Sequence, residues 1–326
     1  MPLSSKLATL HRGFIQLHQS NPEEIHAELS AGLLAPQAVT SPKYLYDGLG
    51  SKLFEAICEL PEYYLTRTEA AIFAAHRADI ARSTGRGITL IDLGAGNCAK
   101  AARLFPVLQP AQYVPVDISV DFLHDAVERL RQGWPHIQMV GIGMDFSSSL
   151  ELPEMVRRGK RLFFYPGSSI GNFTPEQAAA LLGRMRDACG ADGGLLIGVD
   201  LVKDRQVLDA AYDDALGVTA SFNLNLLLHL NQLIGADFNL RDWRHLGYFN
   251  DARSRVEMHL QARRGGTVTW RGGQRRFAPG ERIHTESSYK YTRQDFLQLL
   301  ERAGFGSVRT WSDEHGWFMV CHAQAV

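Results

Sequence analysis

Gly94-Ala95-Gly96-Asn97-Cys98-Ala99 fits G-x-G-x-x-A. The two glycines let the chain turn tightly and bring its backbone close to a ligand. Asp117 follows about twenty residues on, at the end of the next apolar run, where a carboxylate can hold ribose hydroxyls. These features suit any ligand that presents an adenosine to the first two strands of a sheet. A nicotinamide dinucleotide and S-adenosylmethionine both do so.

Asp145, in Gly143-Met144-Asp145-Phe146, stands just after the third apolar run. An acid there commonly accepts from an adenine amino group in methyltransferases, which favours S-adenosylmethionine. Gly94, Gly96, Lys100, Asp117, Asp145 and Phe146 make up the expected cofactor-binding set. A second pattern, Gly167-Ser168-Ser169-Ile170-Gly171, matches the G-x-S-x-G nucleophile elbow of α/β-hydrolases. An elbow needs a helix directly behind the serine. Here the helix signal comes later, with Thr174 as cap, Pro175 first and Gln177 placed for a capping box. The match is read as a decoy.

The elements that must carry these residues are legible in the pattern. Asn21-Pro22-Glu23-Glu24 opens a helix running to about Leu34. Helices follow at Gly50 to Leu60 and Thr66 to Ala81. From Ile88 to Asp200, apolar runs alternate with helical stretches at Cys98–Leu108, Val120–Arg131, Leu152–Arg158 and beyond Thr174. Continuous apolar strands separated by helices predict a parallel sheet covered on both faces. After Asp200 the alternation stops. Residues 201–235 read as helical and Trp243 to Ile283 as short strands joined by Gly-Gly turns. A helix over Thr292–Ala303 and two strands over Ser307–Ala323 close the chain. The fold expected is a Rossmann-like class I methyltransferase sheet with a terminal antiparallel hairpin. A nicotinamide enzyme would more often continue with a second parallel half. The expected division is 1–65 as the first part of a substrate domain, 66–200 as the methyltransferase domain, 201–287 as an insertion completing the substrate domain, and 288–326 as the end of the sheet.

The chain has 326 residues, with 34 Lys+Arg against 35 Asp+Glu, so no global charge favours nucleic acid. No apolar run reaches the roughly 18 residues of a membrane span, and the N-terminus lacks a signal-peptide core. Cys58, Cys98, Cys189 and Cys321 form no C-x-x-C, and none of the twelve histidines sits in H-E-x-x-H. A cytoplasmic monomer acting on a small molecule, with no metal, no membrane and no nucleic acid, is expected.

Several segments in both halves resemble one family. They are Leu60-Pro61-Glu62-Tyr63-Tyr64-Leu65-Thr66-Arg67-Thr68-Glu69, Gly167 to Pro175, Asp200-Leu201-Val202-Lys203-Asp204, Ala211-Tyr212-Asp213-Asp214-Ala215, Phe222-Asn223-Leu224-Asn225, Arg255-Val256-Glu257-Met258 and His284 to Tyr291. Together they are similar to the L-histidine Nα-methyltransferases of ergothioneine biosynthesis, over about residues 42–323. The resemblance implies three successive methyl transfers from S-adenosylmethionine to the α-amine of L-histidine, giving hercynine. It implies that Asn172 holds the amine and that Tyr63 and Tyr212 bind the carboxylate, these three forming the catalytic set. It also implies that Glu286 and Ser288 read the imidazole, with Tyr46 near the ring and Met258 lining the pocket. The types suit one amino acid: phenols donate to a carboxylate, and a carboxylate with a hydroxyl takes ring nitrogens. Two departures stand out. Leu65 replaces the proline of Tyr-Tyr-Pro-Thr-Arg, and Ala95 replaces the serine of Gly-Ser-Gly. Relatives acting on a tryptophan derivative or a thiohistidine, a nicotinamide oxidoreductase, and a silent S-adenosylmethionine-binding protein are the other readings.

Overall fold

A computed structural model describes residues 9–11, 13–17, 21–118 and 120–326. The chain opens with the hairpin β1 (Thr9–His11) and β2 (Phe14–Gln16). Then comes α1 (Pro22–Leu34), whose cap Asn21 accepts from the Glu23 N–H at 3.0 Å. β3 (Ala38–Val39), α2 (Gly48–Cys58) and α3 (Tyr64–Thr84) follow. The alternating part comprises β4 (Thr89–Leu93), α4 (Ala99–Ala102), α5 (Phe105–Leu108), β5 (Gln112–Asp117), α6 (Val120–Gly133), β6 (Gln138–Met139), β7 (Gly141–Gly143), β8 (Arg161–Tyr165), α7 (Pro175–Cys189) and β9 (Gly194–Asp200). Beyond it lie α8 (Arg205–Tyr212), α9 (Val218–Ile234), β10 (Trp243–Asn250), β11 (Arg255–Ala262), β12 (Gly266–Trp270), β13 (Gly273–Phe277) and β14 (Arg282–Tyr289). The chain ends with α10 (Arg293–Arg302), β15 (Phe305–Ser312) and β16 (Phe318–Ala325).

The large sheet has the order β1-β2-β7-β5-β4-β8-β9-β16-β15, with β6 also on β5. β7, β5, β4, β8 and β9 are parallel, and β16 inserts antiparallel between β9 and β15. This is the expected class I methyltransferase sheet with its terminal antiparallel hairpin. Every residue of β4 and β9 is buried, because helices cover both faces. Leu90, Phe164 and Leu196 face one apolar core, and their neighbours Ile91, Phe163 and Ile197 face the other.

A second sheet of order β10-β11-β14-β3 is made by the segment after β9 and by the N-terminal part. Met258 lies opposite Glu286, and His259 opposite His284, so Thr285 is an extra residue in β14. This bulge changes the face on which β14 side chains fall. Glu286 and Ser288 share one face with Met258, while His284, Ser287 and Tyr289 share the other with Arg255, Glu257 and His259.

Two expectations are corrected. Leu152–Arg158 is not a helix; Pro153 interrupts it, and one turn remains, with Val156 N–H on the Pro153 carbonyl at 2.9 Å. The helix over Cys98–Leu108 is split into α4 and α5, since Pro106 cannot donate to the preceding turn. Strands β1 and β2 had no signal in the sequence pattern. β2 joins the large sheet, parallel to β7. Among the described residues, no helix is long and apolar enough to cross a membrane.

Candidate functional site

The cofactor loop follows β4. Gly94 and Gly96 hold φ of +67° and +52°, which a side chain rarely tolerates. The Gly94 and Ala95 N–H groups both reach the Val116 carbonyl, and the Gly96 N–H donates to Asp117 Oδ2 at 2.9 Å. The acid at the end of β5 is thus joined to the loop. A Cβ on Gly96 would meet nothing within 4 Å, and one on Gly94 would meet only the Phe146 ring at 4.0 Å. The loop therefore faces open space bounded by Asp117 and Phe146, a cradle that fits an adenosine. Phe146 is held edge-on to Tyr165. Asp145 makes a tight turn, accepting from the Ser147 N–H and hydroxyl. Lys100, on α4, donates to Glu69 Oε2 at 2.8 Å, and Glu69 Oε1 accepts the Gly167 N–H at 2.7 Å. Cys98 beside this loop is buried, and burial pushes its thiol up to about 12.

The pocket expected for the substrate assembles from α2 and the turn before it, the start of α3, α8, α9, β11 and β14. Tyr46 stands edge-on to Phe54 and to Phe222, at 5.5 Å from each. Phe54 meets Tyr63 at 6.1 Å, and Tyr63 meets Tyr212 at 6.1 Å. Glu286 and Ser288 come from β14, with Met258 directly opposite Glu286. The ring-to-ring chain joins Tyr46, Tyr63 and Tyr212, and Glu286 lies within electrostatic reach of all three. Burial raises all three phenols, keeping them protonated as donors. Glu286 Oε2 is buried and has no hydrogen-bond partner among the described residues. Burial lifts the Glu286 carboxyl to about 7, with Lys290 pulling the other way. A buried carboxylate without a donor costs free energy until a ligand supplies one.

Behind the pocket lies a buried ionic cluster. Asp200, at the end of β9, accepts from Lys203 at 2.5 Å, from Lys290 at 2.7 Å and from the Tyr64 hydroxyl at 2.7 Å. The Asp200 N–H donates to the Ser168 hydroxyl. Lys290 also donates to Tyr212 Oη at 2.9 Å and to Ser288 Oγ at 3.0 Å, and the Tyr212 hydroxyl donates to Ser288 Oγ at 2.8 Å. Tyr212 thus spends its proton on Ser288.

Asn172 ends the turn 169–172. That turn packs on β14 so closely that a Cβ on Gly171 would stand 2.7 Å from the Tyr289 carbonyl. Asn172 borders a cavity of about 390 Å³ with Arg255 of β11 and His284, Ser287 and Tyr289 of β14, residues of the other face of this sheet. A Cβ on Gly171 would also stand 3.5 Å from Ser288 Oγ, so the turn that carries Asn172 adjoins the residues of the substrate pocket. Ser169 donates to the Pro166 carbonyl, and the helix starts only at Pro175, so the elbow reading has no geometry behind it. Among the described residues, no group of three or more His, Cys, Asp or Glu could hold a metal ion.

Sequence reasoning gave no role to Phe54, Glu69, Asp200, Phe222 and Lys290. All but Phe54 lie in the segments singled out above. The available signal was a charged residue at the edge of an apolar strand, as with Asp200 and Lys290.

A family model described as "Histidine-specific methyltransferase, SAM-dependent" matches residues 25–325. A "Histidine N-alpha-methyltransferase" of Mycolicibacterium smegmatis is 36% identical over 306 residues, covering 92% of this chain and 94% of that protein. An "Ergothioneine biosynthesis protein 1" of Neurospora crassa is 31% identical over 291 residues, 86% of this chain and 33% of that longer protein. An "N-methyltransferase dtpB" of Aspergillus flavus is 26% identical over 320 residues, 93% of this chain and 89% of that protein.

Proposed function

Because the chain belongs to the S-adenosylmethionine-dependent, histidine-specific methyltransferases, we propose that it methylates the α-amine of L-histidine three times, giving hercynine for ergothioneine biosynthesis. The observation that carries this reading is the buried, unpartnered carboxylate of Glu286 beside Ser288 in an aromatic pocket. It suits a ligand ring that brings its own N–H.

S-adenosylmethionine, when bound, supplies a methyl group on an already activated sulfonium. The chain's own work is then binding, desolvation and alignment. Gly94, Gly96, Asp117, Asp145 and Phe146 would hold the adenosine, with Lys100 toward the methionine end. Glu286 accepts the ring N–H, and Ser288 meets the other ring nitrogen. Tyr63 donates to the substrate carboxylate. Tyr212, assigned to the same carboxylate by resemblance, has its proton on Ser288 and steadies that hydroxyl instead. Asn172 orients the amine, and Tyr46, Phe54, Phe222 and Met258 exclude water. The amine gives up its proton to solvent before transfer. The same reading has the protein acting as a cytoplasmic monomer without a metal, organised as a methyltransferase domain and a substrate domain divided near residues 65, 200 and 287.

The test is mass spectrometry of the purified protein with S-adenosylmethionine and an equimolar pool of the twenty amino acids. Histidine gaining up to three methyl groups, with the others untouched, is the expected result. A different amino acid methylated, or none, would overturn the substrate assignment and turn attention to modified histidines or tryptophans.

A further inference from the structure

Lys290 is fully buried and has three N–H bonds, each with one partner: Asp200 Oδ2, Tyr212 Oη and Ser288 Oγ. Burial alone would strip its proton, but Asp200 and Tyr212 outweigh it and hold the ammonium charged. An ammonium only donates. Of the two hydroxyls it touches, the phenol is the more acidic and donates to the serine. Ser288 Oγ therefore receives two hydrogen bonds, from Lys290 at 3.0 Å and from Tyr212 at 2.8 Å. Both its lone pairs are used, and its own hydrogen is left to point elsewhere.

We propose that Lys290 is a positioning residue that fixes Ser288 as a donor toward the substrate, so that the pocket takes the ring only as neutral imidazole, its single N–H on Glu286. This rests on the histidine reading above and deepens it. A neutral imidazole has one N–H and one bare nitrogen, matching one carboxylate and one free hydroxyl proton. An imidazolium has two N–H groups, and the second would meet a serine with no lone pair to offer. The charged and titratable groups around this spot are Glu286 and Lys290 from β14, Tyr212 from α8, Asp200 from β9 with Lys203 after it, Tyr63 and Tyr64 at the start of α3, Tyr46 before α2, and Cys58 at the end of α2.

The experiment compares L-histidine with its 1,2,4-triazole analogue, whose ring stays neutral over the range used. Both are titrated calorimetrically into the full chain with saturating S-adenosylhomocysteine at pH 7.5 and 5.5. The α-amine and Glu286 titrate in both titrations and cancel in the comparison. Histidine affinity should fall about tenfold more than that of the analogue, the fraction of neutral imidazole lost. Equal pH dependence of the two ligands, or tighter histidine binding at pH 5.5, would overturn the proposal. Failure of the folded protein to bind histidine at pH 7.5 would overturn the histidine reading, and the proposal with it. In Lys290→Met, Ser288 regains a lone pair, and the gap should close to within about threefold. If that variant does not fold, Ser288→Ala should close the gap in the same way. A gap unchanged in a folded variant would remove the residue from this role.

Discussion

Glu69 Oε2 lies 2.8 Å from Lys100 Nζ, and the other oxygen of the same carboxylate holds the Gly167 N–H. One buried acid on α3 thus ties α4, behind the glycine loop, to the loop after β8, the two segments that the proposed function sets around cofactor and substrate. The Lys100 side chain is 39% exposed, so solvent screens its half of the pair. The buried Gly167 contact is the costly one to lose. Glu69→Ala should lose about 2 kcal/mol in urea unfolding and weaken S-adenosylmethionine binding. Glu69→Gln keeps an acceptor for that N–H and should lose less than half as much. Equal losses in the two variants would argue against the tie.

Glu286 makes stability depend on pH. Burial raises its carboxyl from 4.5 to about 7. Between these values the folded chain keeps a proton that the unfolded chain has released, so stability falls as pH rises through this window and stays lower above it. The shift corresponds to about 3 kcal/mol. Buried Asp92, also raised to about 7, acts in the same sense, so wild type must be compared with Glu286→Gln. In ligand-free protein the variant should gain about 3 kcal/mol over wild type at pH 8 and little at pH 4.5, by urea unfolding. The same variant should bind histidine far more weakly while binding S-adenosylmethionine normally.

Gly96 separates folding from binding. Its φ of +52° makes alanine cost about 1 kcal/mol, yet the added methyl would touch no protein atom. Gly96→Ala should therefore stay folded and lose cofactor affinity at least tenfold, measured by calorimetry. Normal affinity would mean that the ligand does not approach this backbone.

Asn172 should act on turnover. Asn172→Ala is expected to lower kcat for the first methyl transfer by tenfold or more, while the S-adenosylmethionine Kd changes less than twofold. Large, equal effects on both would place the residue in the cofactor site instead.

Cys98 should be inert despite its place beside the glycines. With its thiol buried and pushed up to about 12, iodoacetamide at pH 8 should leave it unmodified in the folded chain and alkylate it fully in urea. Rapid labelling of the native protein, read by peptide mass, would contradict this placement.

The large sheet was legible because its strands are buried on both faces and its helices carry capping signals such as Thr174 and Gln177. Pro153 and Pro106 marked the two places where helical expectation failed, and β1 and β2 are too short to leave a period. The cofactor loop could be read locally, since Gly94, Gly96 and Asp117 lie within one strand-loop-helix-strand unit. Resemblance alone marked Tyr46, Tyr63, Tyr212 and Glu286, because no local period shows that four distant segments share a pocket. Lys290 and Glu69 stayed without a role for the same reason. Each is identified by its partners, and those lie far away in sequence.

The extra residue at Thr285 has a consequence for change over time. It keeps His284 on the side of the small sheet that carries the network of Arg255, Glu257 and His259, away from Glu286, Ser288 and Met258, the side chains assigned to the ring. The side that chooses the ligand is not the side that ties β11 to its neighbours through charge. Substitutions at 258, 286 or 288 can rewrite what the pocket accepts while that network stays intact.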